Sequence, residues 1–345
     1  MSSELGVIMR SEIEEIPSVF NRIKASADEM DSRIKDLPLA HTDSVILVAR
    51  GTSDNAALYL KYLIETNLGI PCGLASPSVV SIYGTTLRFK NVLVIALSQS
   101  GQSPDLIRYC QAARDGGAAL LAMTNDSDSP LAKIAHSHLY LHAGPEKAVA
   151  ATKSYSAELL VSRIFVATWR GERFDIDSII EQTEKALQSA TVIESIASNF
   201  NYHNGVTTMG RGFAYANAHE CALKIQETVK IPVASFSSAD YLHGPISSLH
   251  GDSHVIFLAP FGIAESAMSA TVARIREITN YIYWIGSGFT RNPNEIYLGG
   301  STDLPEMDAV IADSVLLQLF ALFLAVSAGK NPDAPIGLAK VTKTL

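Results

Sequence analysis

The sequence lacks the marks of several large functional classes. Its 345 residues hold three cysteines, Cys72, Cys110 and Cys221, widely spaced and without a C-x-x-C pair. Such an odd, scattered set argues against a disulfide framework and points to a reducing cytosol, with small thiols packed as apolar groups. Positive charge is in deficit: 27 Lys and Arg stand against 35 Asp and Glu, a formal net charge of −8 with a pI near 5.6. Nucleic acid and an anionic membrane surface are therefore not expected as partners, although a local positive pocket is still allowed. No cluster of His, Cys or Asp has metal-ligand spacing, so no metal and no other cofactor are expected. The start, Met-Ser-Ser-Glu-Leu-Gly, has no apolar core of the kind a signal peptide carries. The strongest apolar run, Val315 to Ala328, reads as too short for a bilayer; Gln318 interrupts it and Asp313 precedes it, so a core helix is expected. These absences together predict a cytoplasmic chain.

What is present is apolar and ordered. At 47% hydrophobic and 18% charged, with mean hydropathy +0.16, the chain has the composition of a globular protein, long enough for two domains of ordinary size. Helical periodicity from about Glu12 to Ile34 precedes a repeating order. Val45–Ala49 reads as a strand, Arg50 to Asn55 as a polar turn and Ala56 to Ile64 as a helix. Strands follow at Val92, Ala118–Thr124 and His138–His142. After a polar helical stretch from Asp175 to Phe200 the order restarts. Val206–Met209 with Gly210-Arg211-Gly212 answers the first strand and turn, the helix Ala216–Ile225 follows, and strands are expected at Val255–Ala259 and Tyr281–Ile285 before a closing helix. The pattern predicts a duplicated α/β unit with parallel sheets.

The most informative stretch is the unbroken apolar run Val92–Leu97, a strand buried on both faces, followed by Ser98-Gln99-Ser100-Gly101-Gln102-Ser103-Pro104. Ser103 is suited to cap the next helix and Pro104 to open it. Backbone N–H groups, a helix dipole and several hydroxyls then meet at one spot, which suits a phosphate. An ordinary capped turn with solvated serines fits the same letters. Without Gly-Lys-Ser/Thr, a small phosphorylated molecule fits better than ATP. The second half has Pro260-Phe261-Gly262-Ile263-Ala264 in the corresponding place, with no hydroxyls, so only the first half is expected to bind phosphate.

Gly51-Thr52-Ser53, the serine loop, Gly144-Pro145-Glu146 with Val149-Ala150-Ala151-Thr152-Lys153, His243-Gly244-Pro245 and Gly337-Leu338-Ala339-Lys340 occur in that order. Together they resemble the double sugar-isomerase (SIS) proteins, the family of the isomerase half of glucosamine-6-phosphate synthase and of stand-alone glucosamine-6-phosphate deaminases. The resemblance implies two tandem SIS (flavodoxin-like) domains, each a parallel five-stranded sheet with helices on both faces. The expected division is an N-terminal helical segment over 1–40, SIS domains over 41–175 and 195–330, and a tail over 331–345 that closes the active site. It further implies that Thr52, Ser53, Ser98, Gln99, Ser100 and Ser103 hold the sugar phosphate, and that the backbone at Val149 and Ala150 contacts sugar hydroxyls. Glu227 corresponds to the proton-transfer carboxylate, His243 to the ring-opening acid/base and Lys340 to the lysine of the tail. Arg50 and Gln102 depart from the synthase pattern.

These residue types suit the chemistry. Moving a carbonyl between C1 and C2 of an open-chain sugar needs one base that shuttles a proton, a task for a carboxylate. Ring opening needs a separate group near neutral pH, for which His is suited. Solvated surfaces explain the same letters more plainly: Glu220, Lys224 and Glu227 at i, i+4 and i+7 fit an exposed helix face laced with ion pairs, and His243 fits a structural loop. About 40 residues precede the first strand, which leaves no room for a glutaminase domain. The expected reaction is thus glucosamine 6-phosphate and water giving fructose 6-phosphate and ammonia. The alternatives are a phosphosugar isomerase or deglycase acting on another 6-phosphate ketosamine, and a non-catalytic sugar-phosphate sensor. The resemblance also implies a homodimer with a shared active site. An apolar helix at Val315–Ala328 that one monomer does not fully cover would favour that assembly.

Overall fold

The computed structural model describes residues 5–335, 337 and 340. The chain divides into two compact units. One comprises Ser18–Glu146 and Lys153–Ile176 together with Lys340; the other comprises residues 5–17, Lys147–Thr152 and 177–335 with Gly337.

The first unit is built on five parallel strands, β1 (Ser44–Val48), β2 (Cys72–Leu74), β3 (Val92–Ser98), β4 (Ala119–Thr124) and β5 (Ser137–Tyr140), in the order β2-β1-β3-β4-β5. The apolar run after Asn91 forms the central strand, buried from Leu93 to Ser98, as a strand covered on both faces must be. Helices Thr52–Leu68 and Pro104–Asp115 follow β1 and β3. Val94, Ala96, Leu106, Cys110 and Leu120 form one core with Phe89 and Tyr109, whose rings meet edge to face at 6.1 Å.

The second unit repeats the plan. Its strands β6 (Val206–Gly210), β7 (Val233–Ser237), β8 (His254–Leu258), β9 (Ile282–Ile285) and β10 (Ile296–Gly299) are all parallel, in the order β10-β9-β8-β6-β7. Read from its other edge this is the permutation of the first sheet. Three strands, β2, β7 and β10, go beyond the sequence-based expectation, and each is a sheet edge.

The closing helix is the expected core helix, but it is longer than the sequence suggested. It spans 22 residues, Glu306–Ser327, long and apolar enough to cross a membrane, yet 94% of its apolar window is buried inside the chain. Two of its polar side chains bond inside the chain: Asp313 Oδ1 accepts from the Ser301 N–H and hydroxyl, both at 2.8 Å, and Gln318 donates to the Thr152 carbonyl at 3.1 Å. Those residues mark a protein core. A helix so covered offers no apolar face to a second subunit, so it lends no support to a dimer.

Candidate functional site

In a doubly wound sheet the ligand crevice opens beyond the C-terminal strand ends where the strand order reverses, here between β1 and β3. Val48 pairs with Ala96, so the two strands end side by side and their following turns share one corner. All the predicted phosphate residues lie on those turns. Gly51 links β1 to helix Thr52–Leu68 at φ 58°, ψ −130°, a conformation open to glycine and costly for other residues. Thr52 and Ser53 form the first turn of that helix. Ser53 is buried and donates to Oε1 of the buried Glu158 at 2.7 Å, so its hydroxyl proton is already committed.

The serine loop is fixed by hydrogen bonds within itself and to the segment after β4. Ser98 Oγ accepts from the Gly101 N–H at 3.1 Å and Ser100 Oγ from the Gln102 N–H at 3.3 Å. The Gln99 and Gly101 carbonyls accept from Asn125 and Leu131 N–H at 3.0 and 3.2 Å. Gly101 has φ +60°, and a β-carbon there would lie 2.6 Å from Ser129 Cβ, so the loop needs glycine on both counts. Ser103 occupies the cap position of helix Pro104–Asp115 with Pro104 behind it, as expected, but its side chain makes no capping hydrogen bond. Two helix N-termini and the hydroxyls of Ser98, Ser100, Ser103 and Thr52 thus belong to one corner, a donor set for a phosphate.

Sequence reasoning left the effect of Arg50 open. Its guanidinium contacts Asp105 Oδ2 through two nitrogens, at 3.0 and 2.9 Å. Arg50 also opposes the rise that burial imposes on the Asp54 carboxyl. The arginine therefore brings positive charge to the corner, already shared with carboxylates.

Lys340, the last residue described, donates to Glu146 Oε2 at 2.7 Å. Glu146 is buried and also accepts from the Ser154 N–H and hydroxyl, at 3.0 and 2.8 Å. The remainder of the tail motif, Leu338 and Ala339, and residues 341–345 lie outside the described residues.

The other unit holds Glu227, His243, Val149 and Ala150. Glu227 lies on helix Ala214–Val229, ion-paired to Lys224, which also reaches Glu220 Oε1 at 3.4 Å. The expected spacing is there, but the solvated face is not: the side chains of Lys224 and Glu220 are fully buried and that of Glu227 is 23% exposed. A lysine out of water needs carboxylates around it, and Glu227 is the member left in touch with solvent. His243 is exposed in the loop after Tyr241, its N–H bonded to the Asp240 carbonyl at 3.0 Å. The Val149 N–H is taken by the Asp333 carbonyl at 3.2 Å, and Ala150 is buried. Glu12, invisible as a site residue in the sequence, anchors the same loop by accepting from the Lys147 and Ala148 N–H groups.

Comparison with known proteins fits this geometry. A family model described as SIS domain matches residues 38–168. A Silicibacter pomeroyi protein assigned as a phosphosugar isomerase is 30% identical, with TM-score 0.83 over 94% of this chain and 99% of that one. The glutamine–fructose-6-phosphate aminotransferase (isomerizing) of Pyrococcus horikoshii is 31% identical over 94% of this chain and 56% of its own. The chain thus spans about half the length of the curated relatives it matches. The C-terminal domain of glucosamine-fructose-6-phosphate aminotransferase from Francisella tularensis, 23% identical, shares the fold with TM-score 0.86 over 97% and 99% of the two chains. The glucosamine-6-phosphate deaminase of Thermotoga maritima, 18% identical, shares it at 0.75 over 96% and 99%. The chain belongs to the SIS-domain phosphosugar isomerase family, homologous to the isomerase domain of the aminotransferases, and is a phosphosugar-isomerase-like enzyme.

Proposed function

We propose that this enzyme converts glucosamine 6-phosphate and water to fructose 6-phosphate and ammonia. The observation that supports the reading is the corner between β1 and β3, where the turn after each strand leads into a helix N-terminus and carries the hydroxyls of Thr52, Ser98, Ser100 and Ser103. Thr52, Ser98, Gln99, Ser100 and Ser103 bind the 6-phosphate there together with Ser53, which takes part through its backbone N–H because its hydroxyl is held by Glu158. The Val149 and Ala150 backbone meets the sugar hydroxyls. His243 opens the ring. Glu227 takes the proton from C2 of the open-chain aldehyde and returns it to C1, which leaves an imine at C2. Water adds to that imine, ammonia departs, and the C2 ketone of fructose 6-phosphate remains. Lys340 supplies an ammonium as the tail closes over the substrate.

The repeated strand order supports reading the chain as tandem SIS domains. The assembly is a cytoplasmic homodimer in which His243 serves the neighbouring subunit's site. A second reading, isomerase or deglycase on another 6-phosphate ketosamine, is favoured by the Silicibacter pomeroyi relative, assigned only as a phosphosugar isomerase. A panel of hexosamine and ketosamine 6-phosphates, assayed for ammonia and fructose 6-phosphate together, tests both. Equimolar release from glucosamine 6-phosphate is expected. Turnover of a ketosamine 6-phosphate alone would transfer the assignment to the second reading, and binding without turnover to a sensor.

A further inference from the structure

The second sheet reverses its strand order at the same topological point as the first, between β6 and β8, where a crevice is again expected. The turn after β6 repeats the Arg-Gly pair of the first unit, with Arg211-Gly212 in place of Arg50-Gly51. This crevice is filled from within. Glu306, the first residue of the closing helix, extends its carboxylate to the start of helix Ile263–Arg276. There Oε2 accepts from the Ala264 N–H at 3.3 Å, and the neighbouring Ile263 N–H also favours the ionised carboxyl.

The close approach depends on two glycines, one from each turn. A β-carbon on Gly212 would lie 3.1 Å from Glu306 Oε1, and one on Gly262 would collide with the carboxylate. A half-buried carboxylate on successive backbone amides at a helix N-terminus is an anion in an anion site. Burial still outweighs those hydrogen bonds and leaves the Glu306 carboxyl raised above its ordinary range. The two units differ in charge at this position: the helix after the last strand opens with Lys153 in one and Glu306 in the other.

We infer that Glu306 is the resident anion of the second crevice, a specificity-determining residue that denies this crevice to a phosphate and confines each chain to one phosphosugar. The inference deepens the proposed function, because it rests on the serine loop being the crevice that stays open. Glu306 replaces an incoming anion with a tethered one, at no cost in translational freedom. In the first unit the same corner carries hydroxyls instead.

Equilibrium binding of radiolabelled inorganic phosphate to the intact chain, read as phosphates per chain, tests this. One per chain is expected, weakened about ten-fold or more by Ser100→Ala. Glu306→Ala is expected to gain one further phosphate, whereas Glu306→Gln, whose amide still fills the space, gains none. Two phosphates on the unaltered chain, or no gain in Glu306→Ala, would overturn the inference. If the unaltered chain binds none, the serine-loop reading fails, and Glu306 is then judged on the gain from none to one. Should Glu306→Ala not fold, Glu306→Ser takes its place under the same expectation.

Discussion

Arg50 and Asp105 tie together the segments that follow β1 and β3: two guanidinium nitrogens reach one carboxylate oxygen, at 3.0 and 2.9 Å. The arginine side chain is 46% exposed and that of the aspartate 2%, so the charge most available to a ligand is the positive one. Asp105→Asn keeps an acceptor of the same shape and frees the guanidinium. A half-exposed pair of this kind contributes about 0.5–1 kcal/mol, so stability should fall by no more than that. The KM for the sugar phosphate should drop about two- to five-fold, the same free energy redirected to the ligand. An unchanged KM in steady-state kinetics would mean that Arg50 does not reach the phosphate.

Glu227→Gln separates catalysis from structure. Lys224 keeps its buried partner Glu220 in this variant, so the fold and phosphosugar binding should survive. Solvent-hydrogen exchange at the substrate carbon, followed by NMR in deuterated water, should slow on the order of 10²–10⁴-fold with the loss of a general base. Near-normal exchange would leave Glu227 as a partner of Lys224 and nothing more.

Mixing tests the shared site. Inactive Glu227→Gln and inactive His243→Ala proteins, after subunit exchange, should recover partial activity if each site draws the two residues from different chains. Verified heterodimers without activity would place both residues of a site in one chain.

Asp313 should give the pH dependence of stability a distinctive slope. Burial pushes its carboxyl from 3.8 up to about 6, against two hydrogen bonds from Ser301. Between those values the folded chain keeps a proton that the unfolded chain has released, so this group lowers stability as pH rises from about 4 to 6. Asp313→Asn has no such proton to lose. Its stability relative to the parent should therefore rise by up to about 3 kcal/mol between pH 4 and pH 7, read from denaturant curves at each pH. A difference independent of pH would show that Asp313 does not titrate in this window.

Central strands were legible because burial on both faces writes a continuous apolar run, as at Val92–Leu97. The edge strands were not. Cys72–Leu74 has three residues and two exposed positions, and Val233–Ser237 and Ile296–Gly299 alternate exposure without a clean period. The start of the closing helix was hidden too: the apolar run marks the helix only from about Ser314, whereas the helix begins at Glu306, whose carboxylate bonds Ala264 42 positions away. The serine loop was legible from composition alone. Arg50–Asp105, Ser53–Glu158, Glu146–Lys340 and Glu306–Ala264 were not, since each joins residues 42 to 194 positions apart. The ion-pair spacing of Glu220, Lys224 and Glu227 was visible, but spacing does not say which helix face meets water.

The kinetics of Ser100→Ala with glucosamine 6-phosphate test most directly whether the corner between β1 and β3 holds the substrate phosphate. Ser100 lies in the loop after β3, half-buried, with its oxygen accepting from the Gln102 N–H. Losing one hydrogen bond to a charged group costs about 1.5–3 kcal/mol. A KM raised about ten-fold or more, with kcat much less affected, is expected where KM follows binding. A KM equal to that of the unaltered enzyme would contradict it and move the phosphate to another part of the chain.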